Sequence, residues 1–400
     1  MKRYLKIINA RILTPHRVIK EGTLVAAEGR IVYVGTQNPE IAAAEEMDAQ
    51  GNYLAPGFID LHVHGGGGYD FMDGTEEAFL KIAETHARYG TTALYPTTLT
   101  SEKQRLLDTL DVFESVQQRN HCGARFMGMH LEGPYFAMSQ RGAQDPRYIR
   151  NPDPAEYKAV IGYSPSVKRW SAAPELEGAL ELGRYLRSKN VLPAIAHTDA
   201  VYEEVVNAFE NGYTLATHFY SGMSGVSRRN GYRYAGVVES GYLIDAMDVE
   251  VIADGIHLPA PLLQLIVKIK GADHIALITD AMRAAGMPEG ASILGGRENG
   301  LPVIVENGVA WLPDRSAFAG SVATASSLVR NMVELAAVPL ADAVRMITVT
   351  PARIMGIDQQ KGALVAGKDA DLVLFDAGIN VCKTIIGGRV VYSRDEVNAG

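Results

Sequence analysis

The chain has 400 residues, 47% hydrophobic and 21% charged, which is the balance of a folded protein with a large core and excludes a disordered chain. A formal net charge of -8 excludes a broad basic surface for nucleic acid, while one or two local cations for a small anion remain open. The two cysteines, Cys122 and Cys382, form no disulfide framework or thiolate metal spacing, so a reducing, cytoplasmic setting is expected.

The first fifty or so residues alternate short apolar runs (4–8, 23–26 and 31–34) with turn residues, which predicts strands and hairpins. No signal-peptide core opens the chain, and no apolar run is long enough to span a membrane. From residue 58 the texture changes to apolar strand-like runs alternating with helical patterns. The predicted strands are 58–62, 93–97, 126–132, 167–172, 192–197, 214–218, 250–254 and 275–280. Helices are predicted over 76–89, 102–116, 175–188, 200–211, 261–269 and 323–336. The tail returns to short strands at 370–375, 383–386 and 390–392, so both termini are expected to build one small β domain.

Eight βα units fit either a closed (β/α)8 TIM barrel or an open doubly wound sheet. Polar residues favour the barrel, because five predicted strands end in His62, Glu132, His197, His218 and Asp280, where barrels carry their active sites. The expected division is 1–54 and 355–400 for the small domain and 55–354 for the barrel.

His62 and His64 lie two apart at a strand end and so face one side. With Glu132, His197 and His218 they make a nitrogen and oxygen donor set for a divalent ion, zinc first, with iron, manganese or cobalt as alternatives. A lone His-x-His is weak evidence, but several unpaired polar groups cost a few kcal/mol each in an apolar sheet unless something coordinates them. Asp280 either caps the following helix or acts as a general base toward water, and its strand-end position favours the base.

The run from Pro56 to Gly66, His130-Leu131-Glu132-Gly133-Pro134 and Thr279-Asp280-Ala281 together resemble the amidohydrolase superfamily, and within it the N-acetylglucosamine-6-phosphate deacetylases. The resemblance spans nearly the whole chain. It implies a barrel with a β-sandwich built from both termini, a homodimer, and hydrolysis of the acetyl amide of a hexosamine phosphate. It also implies that Glu132, His197 and His218 are the main metal ligands, that Glu132 bridges to a second ion at His62 and His64, that Asp280 is catalytic, and that His257 polarises the substrate carbonyl.

Two places depart from the family pattern. Ser221-Gly222-Met223 replaces Asn-Ala-Met after His218, and Arg229 falls where the family has a phosphate-contacting arginine, often reaching across the dimer. Gln144 stands where many members have a substrate-contacting histidine. The hexosamine epimer and the need for phosphate are therefore left open, with N-acetylgalactosamine 6-phosphate, an unphosphorylated amino sugar or another small amide as alternatives. A catalytically silent sugar-phosphate binder is the third reading, and Asp280 weighs against it.

Overall fold

The computed structural model describes residues 3–42 and 44–397. Strands from both ends of the chain share one mixed sheet, ordered Arg389–Ser393, Val381–Ile386, Leu372–Phe375, Tyr53–Pro56, Tyr4–Leu13, Val18–Ala27, Arg30–Gly35. The ends join where Leu372–Phe375 runs antiparallel to Tyr53–Pro56, with Leu372 opposite Pro56. Alternate residues of these strands, among them Leu5, Ile7, Leu24, Leu54, Leu372 and Ile385, turn inward to one shared core. Neither terminus could bury that face alone.

The middle of the chain forms parallel strands connected by helices. Phe58–Val63, Thr91–Pro96 and Arg125–Phe126 make one ribbon. Met129–Glu132, Val167–Ala172, Leu192–Ile195, Leu215–Ala216, Asp248–Val251 and Ile275–Leu277 make a second, each parallel to the next. Single parallel bridges Thr97 to His130 and Val63 to Ala281 tie the ribbons at both edges, so the order of neighbours returns to its first strand. The chain is thus an α/β protein around a curled parallel sheet.

Four predicted strands stop two or three residues short of their expected ends. They close at Ile195, Ala216, Val251 and Leu277. Three of the residues beyond have left-handed backbone: His197 (φ 46°), His218 (φ 31°) and Asp280 (φ 47°). Such conformations are sparsely populated for side chains of this size, and they turn the groups off the strand's alternation. The strand predicted over 126–132 splits at Gly128 (φ 129°) into two pieces.

Among the elements not expected is a sheet of four antiparallel strands, Gly290–Leu294, Leu301–Glu306, Val309–Trp311 and Phe318–Ser321. Its signal was present in the alternation of Val303 and Val305 before the turn pair Asn307-Gly308. The buried Arg283 anchors it, pairing with Asp73 at 2.7 and 2.9 Å and donating to the Gly295 carbonyl at 2.7 Å.

The glycine run 65–68 is packed tightly. Gly65 and Gly67 donate to the Ala281 and Ala285 carbonyls. A Cβ on Gly65 would lie 2.3 Å from the Tyr69 carbonyl oxygen and 2.8 Å from the Arg283 nitrogen, both backbone atoms. Gly65→Ala is accordingly expected to lose about 1–3 kcal/mol in urea denaturation, the usual cost of overpacking a close contact. An unchanged midpoint would show that the loop yields.

Candidate metal centre

His62 sits in Phe58–Val63 and His64 just beyond it, and their Nε2 atoms are 3.1 Å apart. Glu132 closes Met129–Glu132, and the two left-handed turns carry His197 and His218 to the same place. Two overlapping triads result, His62–His64–Glu132 and Glu132–His197–His218, each with its donor atoms within 4.8 Å of one another. Glu132 belongs to both. Its Oε1 stands 3.3 Å from His197 Nε2, 2.9 Å from His218 Nε2 and 3.6 Å from His62 Nε2, and its Oε2 stands 3.4 Å from His64 Nε2.

The hydrogen bonds on the far side of two rings decide what faces Glu132. Nδ1 of His197 lies 2.8 Å from the Gln140 carbonyl and Nδ1 of His218 lies 3.0 Å from the Ser221 carbonyl. A carbonyl can only accept, so both Nδ1 atoms donate, and a neutral ring then turns its Nε2 lone pair toward a carboxylate lone pair. That contact needs positive charge between the atoms. Ligands about 2.0–2.2 Å from a tetrahedral divalent ion lie about 3.3–3.5 Å from each other, close to the spacings here. The residues fit a metal.

Titration expresses the same demand. Burial lowers the pKa of His62, but the Asp280 and Glu132 carboxylates outweigh it and hold the ring up at about 9. His64 is likewise raised well above its ordinary value against burial, through Asp280 and Glu132. Burial alone would raise Glu132, yet the charge of His62 and bonds to His197 and His218 hold it well below the usual carboxylate range.

A cavity of about 230 Å3 opens beside the triads. His64, Glu132, His197, His218, Asp280, His257, Ser221, Gly222 and Gln144 all line it, with Leu294 and Phe318 of the unexpected antiparallel element. His62 is fully buried and does not. Asp280 Oδ1 lies 3.2 Å from His64 Nε2 and 3.5 Å from His62 Nε2. Asp254 accepts from His257 Nδ1 at 2.6 Å, which leaves Nε2 as the ring nitrogen available to a ligand. Gly222 (φ 58°) approaches His197 so closely that a Cβ there would lie 2.8 Å from Nδ1.

Gln144 does more than border the cavity. Its Nε2 donates to Glu132 Oε2 at 2.7 Å, and its Oε1 accepts from the Thr100 backbone at 2.9 Å. Arg229 is not brought in: it lies on the exposed hairpin of Ser227–Arg229 and Tyr232–Tyr234, its guanidinium 5.3 Å above the Tyr234 ring. Among the described residues no arginine or lysine lines the cavity.

Sequence reasoning also passed over Asp60, although it stands two before His62 on the same strand face. Asp60 accepts from Thr279 Oγ1 at 2.5 Å and from the His62 backbone at 3.2 Å, clipping the strand of His62 to the segment that carries Asp280. Burial pushes its carboxyl up to about 6 despite those bonds.

The amidohydrolase family profile matches residues 53–391. An N-acetylgalactosamine-6-phosphate deacetylase of Escherichia coli O157:H7 is 36% identical over 381 residues, 95% of this chain and 97% of that protein. An N-acetylglucosamine-6-phosphate deacetylase of Bacillus subtilis (strain 168) is 31% identical over the full length of both. A solved point mutant of N-acetyl-D-glucosamine-6-phosphate deacetylase from Mycobacterium smegmatis, in complex with N-acetyl-D-glucosamine-6-phosphate, superposes with a TM-score of 0.88 at 31% identity, covering 98% of this chain and 100% of that one. With its donor cluster, cavity and full-length likeness, the chain belongs to the amidohydrolase family and, within it, to the group that contains the N-acetylglucosamine-6-phosphate deacetylases.

Proposed function

We propose that this chain is a metal-dependent hydrolase that removes the acetyl group of an N-acetylhexosamine 6-phosphate, N-acetylglucosamine 6-phosphate first, giving the amino sugar phosphate and acetate. The observation that carries this reading is the pair of triads sharing Glu132 beside Asp280 in one cavity. The ring of parallel neighbours supports a closed (β/α)8 barrel over 55–354, and the shared terminal sheet supports a small β-sandwich domain from 1–54 and 355–400. Among the described residues no helix is long and apolar enough to cross a membrane. A cytoplasmic location is part of the proposal.

His62, His64, Glu132, His197 and His218 would hold one or two divalent ions, zinc before iron, manganese or cobalt. When bound, the metal supplies Lewis acidity toward water and the acetyl carbonyl. Asp280 takes the proton that water loses and delivers it to the departing amine nitrogen. His257, held by Asp254, directs its other ring nitrogen to the acetyl oxygen as negative charge develops there. Ser221 and Gly222 border the sugar, and Gln144 holds Glu132 while keeping a donor hydrogen for substrate.

The phosphate needs a cation, and among the described residues of one chain none lines the cavity wall. The hairpin bearing Arg229 projects Tyr232 at 74% exposure beside Val226 at 60%, an arm suited to reach a second copy. A homodimer in which each Arg229 serves its partner's cavity follows from that reading. Arg229→Ala should then raise KM for 6-phosphorylated substrates by about 10–100-fold, the worth of charged hydrogen bonds, with kcat little changed. Unchanged KM would remove Arg229 from phosphate binding.

A second reading, N-acetylgalactosamine 6-phosphate as preferred substrate, is favoured by the 36% identity to the relative of that name. Acetate release from N-acetylglucosamine, N-acetylgalactosamine and N-acetylmannosamine, each with and without 6-phosphate, separates the readings. No acetate from any 6-phosphate would sink both.

A further inference from the structure

Below the two triads lies an ion pair to which the proposed chemistry gives no task. Arg169 and Glu250 are both 0% exposed. Arg169 Nη1 pairs with Glu250 Oε1, and Nη2 donates to Oε2 at 2.9 Å. Nη2 also donates to Thr217 Oγ1 at 2.8 Å, and Nη1 to the Leu61 carbonyl at 3.2 Å. Desolvating two such charges costs several kcal/mol each, and an apolar pair of similar volume is often as stable or more so. Stability alone does not account for the pair.

Glu250 touches both triads. Its Oε2 accepts from the His218 backbone at 3.4 Å and stands 3.6 Å from His62 Nδ1. A histidine that gives Nε2 to a metal carries its proton on Nδ1 and normally donates it to a carboxylate or carbonyl. His197 and His218 have the Gln140 and Ser221 carbonyls for this purpose. His62 Nδ1 is buried without a hydrogen-bond partner, and Glu250 is the carboxylate that faces it.

We propose that Arg169 and Glu250 are a positioning pair for His62. Glu250 accepts a hydrogen bond from the Nδ1–H of His62 when a metal is bound and so sets that ring's tautomer and direction, while Arg169 holds the carboxylate in place and cancels its charge. The inference rests on the two-ion form of the metal reading above. It assigns the pair to an ion at His62, His64 and Glu132; the imidazoles of His197 and His218 are held by the Gln140 and Ser221 carbonyls, Glu250 reaches that triad only through the long contact from the His218 backbone, and an ion there should stay.

The test is metal content by elemental analysis after dialysis, read beside the visible absorption of the cobalt-loaded protein. The unaltered chain should hold two ions. The double variant Arg169→Met/Glu250→Leu, which removes both charges together, should fold and hold one. Glu250→Gln keeps an oxygen that can accept from Nδ1 and should retain the second ion with about 10–100-fold lower affinity. Two ions held as tightly by the double variant would overturn the pair's role and leave the metal reading intact; one ion in the unaltered chain would overturn the pair's role and leave a single-ion centre, and none would overturn both. Should the double variant fail to fold, an unchanged second-ion affinity in Glu250→Gln overturns the inference.

Discussion

Asp280→Asn should lower kcat for acetate release by about 10²–10⁴-fold, the usual contribution of a positioned acid and base, while leaving the metal content unchanged. Asparagine keeps the size and one accepting oxygen of aspartate but cannot carry a proton between water and an amine. Metal should survive the change because neither triad includes Asp280. The left-handed turn at Asp280 (φ 47°) and the Thr279 to Asp60 bond hold the side chain where it stands, and the substitution disturbs neither. Acetate release at close to the normal rate would take Asp280 off the proton path. Metal lost in step with activity would make it a ligand instead.

Glu132→Gln should do more, because Glu132 is common to both triads. A glutamine amide can donate to the Nε2 lone pairs of His197 and His218, which satisfies those rings with no cation between. Metal content should fall toward zero for both ions, and acetate release should fall further than in Asp280→Asn. Added zinc should restore a chelator-treated unaltered chain but not this variant. Elemental analysis showing two ions in Glu132→Gln would remove the carboxylate from the centre. A change at His62 alone should cost one ion, since Glu132, His197 and His218 do not depend on it.

The donor types were readable from residue order. His62 and His64 share a strand face by the two-residue period, and Glu132 closes a buried run. His197, His218 and Asp280 follow further buried runs, so their meeting was legible once the runs were taken as one parallel set. What periodicity misplaced was the point where each strand stops. The run of buried residues continues through Ala196, Thr217 and Ile278, each still bonded by its backbone N–H to the neighbouring strand, although the strands have already ended. Burial dictates that pattern, and burial continues past the last strand residue.

Gln144 shows the limit from another side. The family resemblance marks it as a replacement in a binding position, but its bonds to Glu132 and to the Thr100 backbone join segments 12 and 44 residues away. The Arg169 and Glu250 pair spans 81 residues. In sequence each is an ordinary charge in an apolar run, and only their facing positions inside the curled sheet turn two isolated costs into one compensated contact. Arg229 runs the other way, since the family resemblance, counted from His218, places it at the site, and the exposed hairpin sets it outside its own chain's cavity.

Local order therefore states which side chains are present and which face of its own strand each occupies, because those depend on bond geometry a few residues long. Which of them touch, and the angle at which His197, His218 and Asp280 enter the cavity, depend on neighbouring strands far apart in the chain. Those contacts exist only after the sheet has curled, and no period within one segment records them.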